Sequence, residues 1–328
     1  MSKSYEEYLK EAGNVHLAYY VEAADILGIE YEVLIKNLLA IFRKNQKHWY
    51  IINATTPLTN APSTTIAKRK NLTHRVLSQF DIPVPIQSPL LSKEDAIEFF
   101  KKYKDIVIKP TVQLGGKGVT IKPKDIEDVE RAYINAKKYS KAKGTKKVIG
   151  EEFVSGENYR LLVLEDKVIG IVRRKSAFII GNGKDSVEKL IEDKNIERKE
   201  HLLKPIVIDN EVRQRLDDLE IDMQYIPNEN EELILRYNCN LSTGGTTQEC
   251  SADTHQYYKD LAIKSVKAIG SKFGGVDIIT PDITKPSKCV INEINYNPGL
   301  RLHYKVQEGE AVKVAIPVME YIYKMIDK

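Results

Sequence analysis

Three cysteines in 328 residues, Cys239, Cys250 and Cys289, offer neither a disulfide framework nor metal-ligand spacing. They read as free thiols of a reducing compartment. No run approaches the roughly 20 apolar residues that span a bilayer. The N-terminus, MSKSYEEYLKE, is charged from its start, unlike a secretory signal. Neither sign of charge dominates: 50 Lys and Arg face 46 Asp and Glu, for a net charge of +4. The lysine-rich stretches at 101–104 and 137–147 carry no recognition motif and read as solvated faces rather than nucleic-acid contacts. Internal repeats and low-complexity tracts are absent. The six histidines form no cluster, and there is no HExxH, no Walker loop and no Ser-His-Asp set. The expectation is a cytoplasmic protein that engages neither nucleic acid nor membrane.

What is present is a mixture of helical and strand patterns. Residues 5–45 look helical, with an apolar stripe through Leu17, Tyr20, Val21, Ala24 and Leu27, broken at Gly28 before a short strand, YEVLI. HWYIIN reads as another strand and ends in the Pro- and Thr-rich stretch TTPLTNAPSTT, a candidate boundary near residue 62. A helix over 71–80 precedes the turn DIPVP. Short strands and helices then alternate: SKEDAIEFFKKY and DIEDVERAYINAKKY as helices, DIVIKP, GVTIKP and KVIGEEFV as strands. YRLLVLEDKVIGIVRRK predicts a hairpin turning at Glu165-Asp166. Helices over 185–198 and 255–271 and the strands GGVDIIT and CVINEIN complete an α+β plan.

Four constellations carry chemistry. Lys109 ends an apolar strand, IVIKP, where a buried amine needs an anionic partner. Beyond it Gly115, Gly116, Lys117 and Gly118 form either a flexible loop over phosphates or a plain β-turn. Asp277 lies in GGVDII. Glu293 and Asn295, two apart in INEINYNPG, share one face of a strand, and with Asp277 they offer the hard oxygen donors that suit Mg2+. Pairing with Lys or Arg is the alternative for each carboxylate. Arg236, Asn240 and LSTGGTT (Ser242, Thr243, Gly244 and Gly245) suit an anion nest or an ordinary turn. VIGEEFVSGENYR contributes Arg160, which with Arg173 and Arg174 binds phosphate or pairs with surface acids.

Taken in order, KRKNLTHRVLSQFDIPVP, VIKPTVQLGGKGVTI, VIGEEFVSGENYRLLVL, RRKSAFIIGNGKDSVEKLI, NLSTGGTT, GGVDIITPDI, INEINYNPGLRLH and VAIPVME resemble the ATP-grasp superfamily. The likeness is to the ATP-grasp domain of cyanophycin synthetases, with that of bifunctional glutathione synthetases next. It runs from about Ala67 to Met319. The resemblance implies an ATP-grasp fold: a reduced N-terminal lobe over 1–62, a small lobe with the glycine loop over 63–150, and a large lobe with the metal ligands over 151–328. It implies ATP contacts at Lys70, Lys109, the 115–118 loop and Glu151 with the Phe153 and Val154 backbone. Arg174 would stabilise transferred phosphate. Asp277, Glu293 and Asn295 would hold two Mg2+ ions, for which Mn2+ can substitute. Many relatives have a ribose-binding acid where Asn158 stands here, so the expectation is either that Glu157 takes that contact or that the contact is weaker. Arg160, Arg236, Asn240, the 242–245 stretch, Arg301 and His303 would face the substrate.

The implied activity is a carboxylate–amine ligase working through an acyl phosphate on amino acids or short peptides. Its partners are then small molecules, and a homo-oligomer is expected. The alternative is a catalytically silent ATP-binding regulatory subunit. Cyanophycin synthetases carry a further Mur-ligase-like part after this region, whereas this sequence ends at Lys328; polymer synthesis by this chain alone is therefore not expected.

Overall fold

The computed structural model describes residues 3–112, 118–141, 144, 147–201 and 203–326. Helix α1 (Tyr5–Ala12) starts at Ser4, whose hydroxyl takes the Glu7 amide while Glu7 reaches back to the Ser4 amide. It stops at Gly13, where φ is +83°; a Cβ there would lie 2.6 Å from Asn37. Helix α2 (Val15–Ile26) buries Leu17, Tyr19, Tyr20, Val21 and Ala24, which is why it is apolar almost all round.

The helical expectation for 5–45 holds only to Ile26. Beyond it, β1 (Glu30–Ile35), β2 (Leu39–Lys44) and β3 (Lys47–Ile52) form an antiparallel meander. The apolar run LLAIF has no unambiguous period, and turn residues at positive φ, Asn37, Asn45 and Gln46, decide for strands. This meander, α1 and α2 share a core with the C-terminal helix described below.

Two helices follow, α3 (Ala61–Ala67) and α4 (Lys70–Ser78). A four-stranded antiparallel sheet comes next, built from β4 (Gln87–Leu90), β5 (Ile106–Pro110), β6 (Thr120–Ile121) and β7 (Val148–Glu152) in the order β4-β7-β5-β6. Helices α5 (Lys93–Tyr103) and α6 (Ile126–Tyr139) pack on it through Phe99, Val129 and Tyr133. Only two residues of GVTIKP pair as a strand, because Lys122 turns to φ +50°.

The hairpin β8 (Glu157–Leu164) and β9 (Lys167–Lys175) turns at Glu165-Asp166 as the sequence predicts. An excursion then leaves the sheet: β10 (Phe178–Ile180), α7 (Val187–Glu200), α8 (Asn210–Asp218) and β11 (Glu232–Ile234). Its core is its own, with Ile179, Val187, Ile191, Val212, Leu216 and Leu233. The chain returns with β12 (Thr246–Glu249), α9 (Gln256–Ala268), β13 (Phe273–Thr280) and β14 (Val290–Asn295), and ends in α10 (Arg301–Tyr304) and α11 (Ala315–Ile326). The five-stranded antiparallel sheet has the order β12-β9-β8-β13-β14. One face buries Tyr159, Leu161, Ile171, Val276 and Ile278 with Leu261, Ala262 and Val266 of α9. Among the described residues no helix is long and apolar enough to cross a membrane.

Candidate functional site

The other face of this sheet is where charge collects. Register pairs Glu293 with Asp277, Asp277 with Arg160, and Asn158 with Arg174. Cross-strand partners share a face, so sheet register alone aligns two carboxylates with two guanidiniums. Asp277 is 4% exposed and Arg160 5%, so neither charge survives burial without the other. Arg160 binds Asp277 through Nε and, at 2.9 Å, through Nη2. Arg174 Nη1 donates to the same carboxylate at 2.9 Å, and its Nη2 to Asn240 Oδ1 at 3.3 Å.

Helix α4 and the four-stranded sheet bring two lysines to this row. Lys70, in the first turn of α4, places Nζ 2.6 Å from Glu293 Oε2. Lys70 beside it, against the effect of burial, holds the Glu293 carboxyl well below the usual carboxylate range. Lys109 lies on β5 with Nζ 2.6 Å from Glu151 Oε1 of the adjacent β7, both side chains 7% exposed. Burial and then the nearby Lys70 push the Lys109 ammonium down. Burial alone would raise Glu151, but Lys109, His74 and the Gln87 amide hold it below its ordinary value.

The predicted residues divide into three sets. Lys70, Lys109, Glu151, Arg160, Arg174, Asn240, Asp277, Glu293 and Asn295 make up one charged array of three bonded groups, Lys109–Glu151, Lys70–Glu293–Asn295 and Arg160–Asp277–Arg174–Asn240, with Asn295 Nδ2 3.3 Å from Glu293 Oε1. His303 lies close by, fully buried under β9, where a Cβ on Gly170 would come 2.8 Å from its Nδ1. Burial depresses its pKa to about 3. Arg301 stands two residues earlier in α10. Phe153 donates its backbone N–H to the Asp105 carbonyl, and Lys122 sits 4.5 Å above its ring; Val154 follows it.

The second set is occupied elsewhere. Arg236 is bound by Asp209 and Glu211 at the foot of α8, and Glu157 pairs with Arg173 at 2.8 Å. Ser242 and Thr243 lie in a short 3-10 turn. The glycines after them are needed for packing: a Cβ on Gly244 would meet Ile206 at 2.7 Å, and one on Gly245 the Asn240 carbonyl at 2.9 Å. The third set, Gly115, Gly116 and Lys117, lies outside the described residues. Gly118 turns at φ +74° against Tyr139.

One residue that sequence reasoning passed over belongs to the array. His74, one helical turn after Lys70, is 4% exposed and bonds through Nε2 to the Asn292 carbonyl at 3.0 Å, fastening α4 to β14. Its i+4 spacing from Lys70 was the available signal.

The donor set fits a hard divalent cation. Asp277, Glu293 and Asn295 offer two carboxylates and an amide oxygen, the carboxylates here paired with Lys70, Arg160 and Arg174, and among the described residues no three His, Cys, Asp or Glu side chains gather as a metal site. Too few protein ligands for a closed cage, they suit Mg2+ shared with phosphate oxygens.

Fold and charged array together define an ATP-grasp protein. Within that class its sequence is similar to part of the bifunctional glutathione synthetases and of the cyanophycin synthetases. It is 32% identical over 310 residues to the glutathione biosynthesis bifunctional protein GshAB of Listeria welshimeri, covering 90% of this chain and 39% of that protein. To cyanophycin synthetase of a Nostoc species it is 32% identical over 314 residues, 92% of this chain and 34% of the relative. The crystal structure of a bifunctional glutathione synthetase from Pasteurella multocida superposes with a TM-score of 0.68 at 26% identity, over 96% of this chain and 45% of that one. The chain thus spans less than half the length of these relatives. No family model matches it.

Proposed function

We propose that this chain is a Mg2+-ATP-dependent carboxylate–amine ligase acting on amino acids or short peptides. The observation that carries the reading is the Asp277–Glu293 register pair, met by Lys70, Arg160 and Arg174 from three separate elements. Arg160 and Arg174 on one sheet face, with Lys70 of α4 and Lys109 of the smaller sheet beside them, make four cations that suit a triphosphate and its metal far better than a neutral ligand. The kinship with enzymes named for making glutathione and cyanophycin supports the substrate class.

A carboxylate is a poor electrophile because no good leaving group departs from it. In the proposed reaction its oxygen attacks the γ-phosphorus, the bond to the β-phosphate oxygen breaks, and ADP leaves with an acyl phosphate formed. The amine then attacks the acyl carbon, inorganic phosphate departs, and the nitrogen loses a proton to give the amide. Mg2+ bound at Asp277, Glu293 and Asn295 would offset charge on the phosphate oxygens. Lys70 and Lys109 would hold the phosphates, with the glycine loop at 115–118 above them. Arg174 would follow the transferred phosphoryl group. Glu151 and the 153–154 backbone would border the adenine, with Glu157 and Asn158 near the ribose. Arg301 and His303 would lie at the substrate end.

The test is Mg2+-dependent ADP release over a panel of amino acids and short peptides, singly and in pairs. Release that requires one particular pair, yields an amide and falls steeply in Glu293→Gln at the Mg2+ concentration that suffices for the wild type supports the reading. Binding of ATP with no turnover on any pair would replace it with a nucleotide-binding subunit.

A further inference from the structure

A chain of side-chain contacts leads from the small sheet to Arg174 through the excursion between β9 and β12. Lys124, three residues after β6, places Nζ 2.9 Å from Asp218 Oδ1 at the end of α8. Asp218 has a side chain only 13% exposed and also accepts from Tyr237 Oη at 2.8 Å and from Gln214 at 3.0 Å. Three donors hold its carboxyl below the ordinary range although burial opposes this. An exposed ion pair contributes little by itself; here Lys124 is half exposed, but its acceptor Asp218 is held by two further donors.

From Tyr237 the path continues. The backbone amides of Tyr237 and Asn238 both donate to Glu211 Oε1, at 3.2 and 3.1 Å, and the Asn238 side chain donates to the same carboxylate. Asn238 Oδ1 in turn accepts from the Asn240 amide at 3.1 Å and from Thr243 Oγ1 at 3.2 Å. Asn240 Oδ1 then receives Arg174 Nη2 at 3.3 Å, while Arg174 Nη1 rests on Asp277. Arg174 Nε, buried, has no partner, so the guanidinium is held by two of its three nitrogens. Nη2 also donates to the Cys239 carbonyl at 3.4 Å, in the same 238–240 turn, so the Nη2 hold belongs to this path.

We propose that Asp218, Tyr237 and Asn238 are positioning residues for Arg174, and that Lys124 ties this support to the lobe carrying Lys109. The inference rests on the role proposed above for Arg174. Physically, the excursion is a brace whose far end is fixed by the small sheet. If Lys124 or the Tyr237 hydroxyl is removed, Asn240 loses its support and Arg174 loses its aim, while Lys70 and Lys109 keep theirs. Contacts in series give coupled rather than additive losses.

The test compares calorimetric affinities for Mg2+-ADP and for the Mg2+ complex of AMPPNP, a non-hydrolysable ATP analogue. The ratio of the two isolates what the γ-phosphate adds, so no amine or carboxylate need be known. Lys124→Met and Tyr237→Phe are each expected to weaken AMPPNP about fivefold, the value of one hydrogen bond. ADP affinity and melting temperature should stay as in the wild type, and the double variant should lose no more than the worse single one. Wild-type ratios in both variants would overturn the proposal, as would equal loss of both nucleotides, which marks a purely structural brace. Arg174→Ala separates the two readings: if it leaves the ratio unchanged, Arg174 does not meet the γ-phosphate, and the proposed site and this inference fall together.

Discussion

The buried Lys109–Glu151 pair allows structural and functional roles to be pulled apart. Both side chains are 7% exposed and 2.6 Å apart. Lys109→Met would leave Glu151 charged in the interior with the Gln87 amide as its neutral donor. Removing one member of such a pair costs about 3–5 kcal/mol, because the survivor remains desolvated and unpaired. At about 2–4 °C per kcal/mol for a chain of this size, the melting temperature should fall by on the order of 10 °C. Replacing both members, Lys109→Met with Glu151→Leu, removes both charges at similar volume and should recover all but about 1–2 kcal/mol. Nucleotide binding should not recover with it. Losing a charge-assisted contact to phosphate weakens binding by about 10- to 100-fold, and the double variant still lacks the ammonium. Calorimetry on Mg2+-ATP alongside thermal melts of the wild type, the single and the double variant checks this. A double variant as unstable as the single one would refute the pairing argument; one that binds ATP like the wild type would refute the phosphate role of Lys109.

Three further outcomes are expected. His303 has its pKa pushed down to about 3 by burial, against about 6.5 when unfolded. The unfolded state therefore takes the extra proton as pH falls, so stability is full above about pH 6.5 and has lost about 1.4 kcal/mol by pH 5.5. Denaturant melts at pH 7.5 and 5.5 should show a shallower drop in His303→Gln than in the wild type, and an equal drop would contradict this. Gly13→Ala should destabilise by about 1–3 kcal/mol, since φ is +83° and the new Cβ would meet Asn37 at 2.6 Å; a thermal melt within 1 °C of wild type would show the turn can relax. Glu293→Gln removes a carboxylate donor and should raise the Mg2+ concentration needed for ADP release at least about tenfold, which a metal titration at fixed ATP reads directly.

Much of this molecule was legible as local pattern. The hairpin at Glu165-Asp166 follows from alternating apolar residues on both sides of a polar pair, and the structure turns there. Helix α8 was not foreseen, because NEVRQRLDD buries only Val212 and Leu216 and is otherwise polar. The strands YEVLI and HWYIIN were legible, whereas β2 between them was obscured by an apolar run that fits either period. At the site, sequence could group Asp277 with Glu293 and Asn295 as hard oxygen donors, and the resemblance added Lys70 and the arginines. It could not say which cation meets which carboxylate, because that depends on the register of β13 with β8 and β14 and on where α4 docks. The same limit hid the partners of Arg236: Asp209 and Glu211 begin a helix whose position only the tertiary fold sets.

The central claim is that a substrate carboxylate attacks the γ-phosphoryl group, and oxygen-18 follows that event atom by atom. The acid that supports ADP release would be labelled in both carboxylate oxygens and turned over with unlabelled ATP in unlabelled water. The account predicts one heavy oxygen in each phosphate released, seen in its phosphorus NMR shift, with the other retained in the amide. Unlabelled phosphate accompanying amide formation would contradict it.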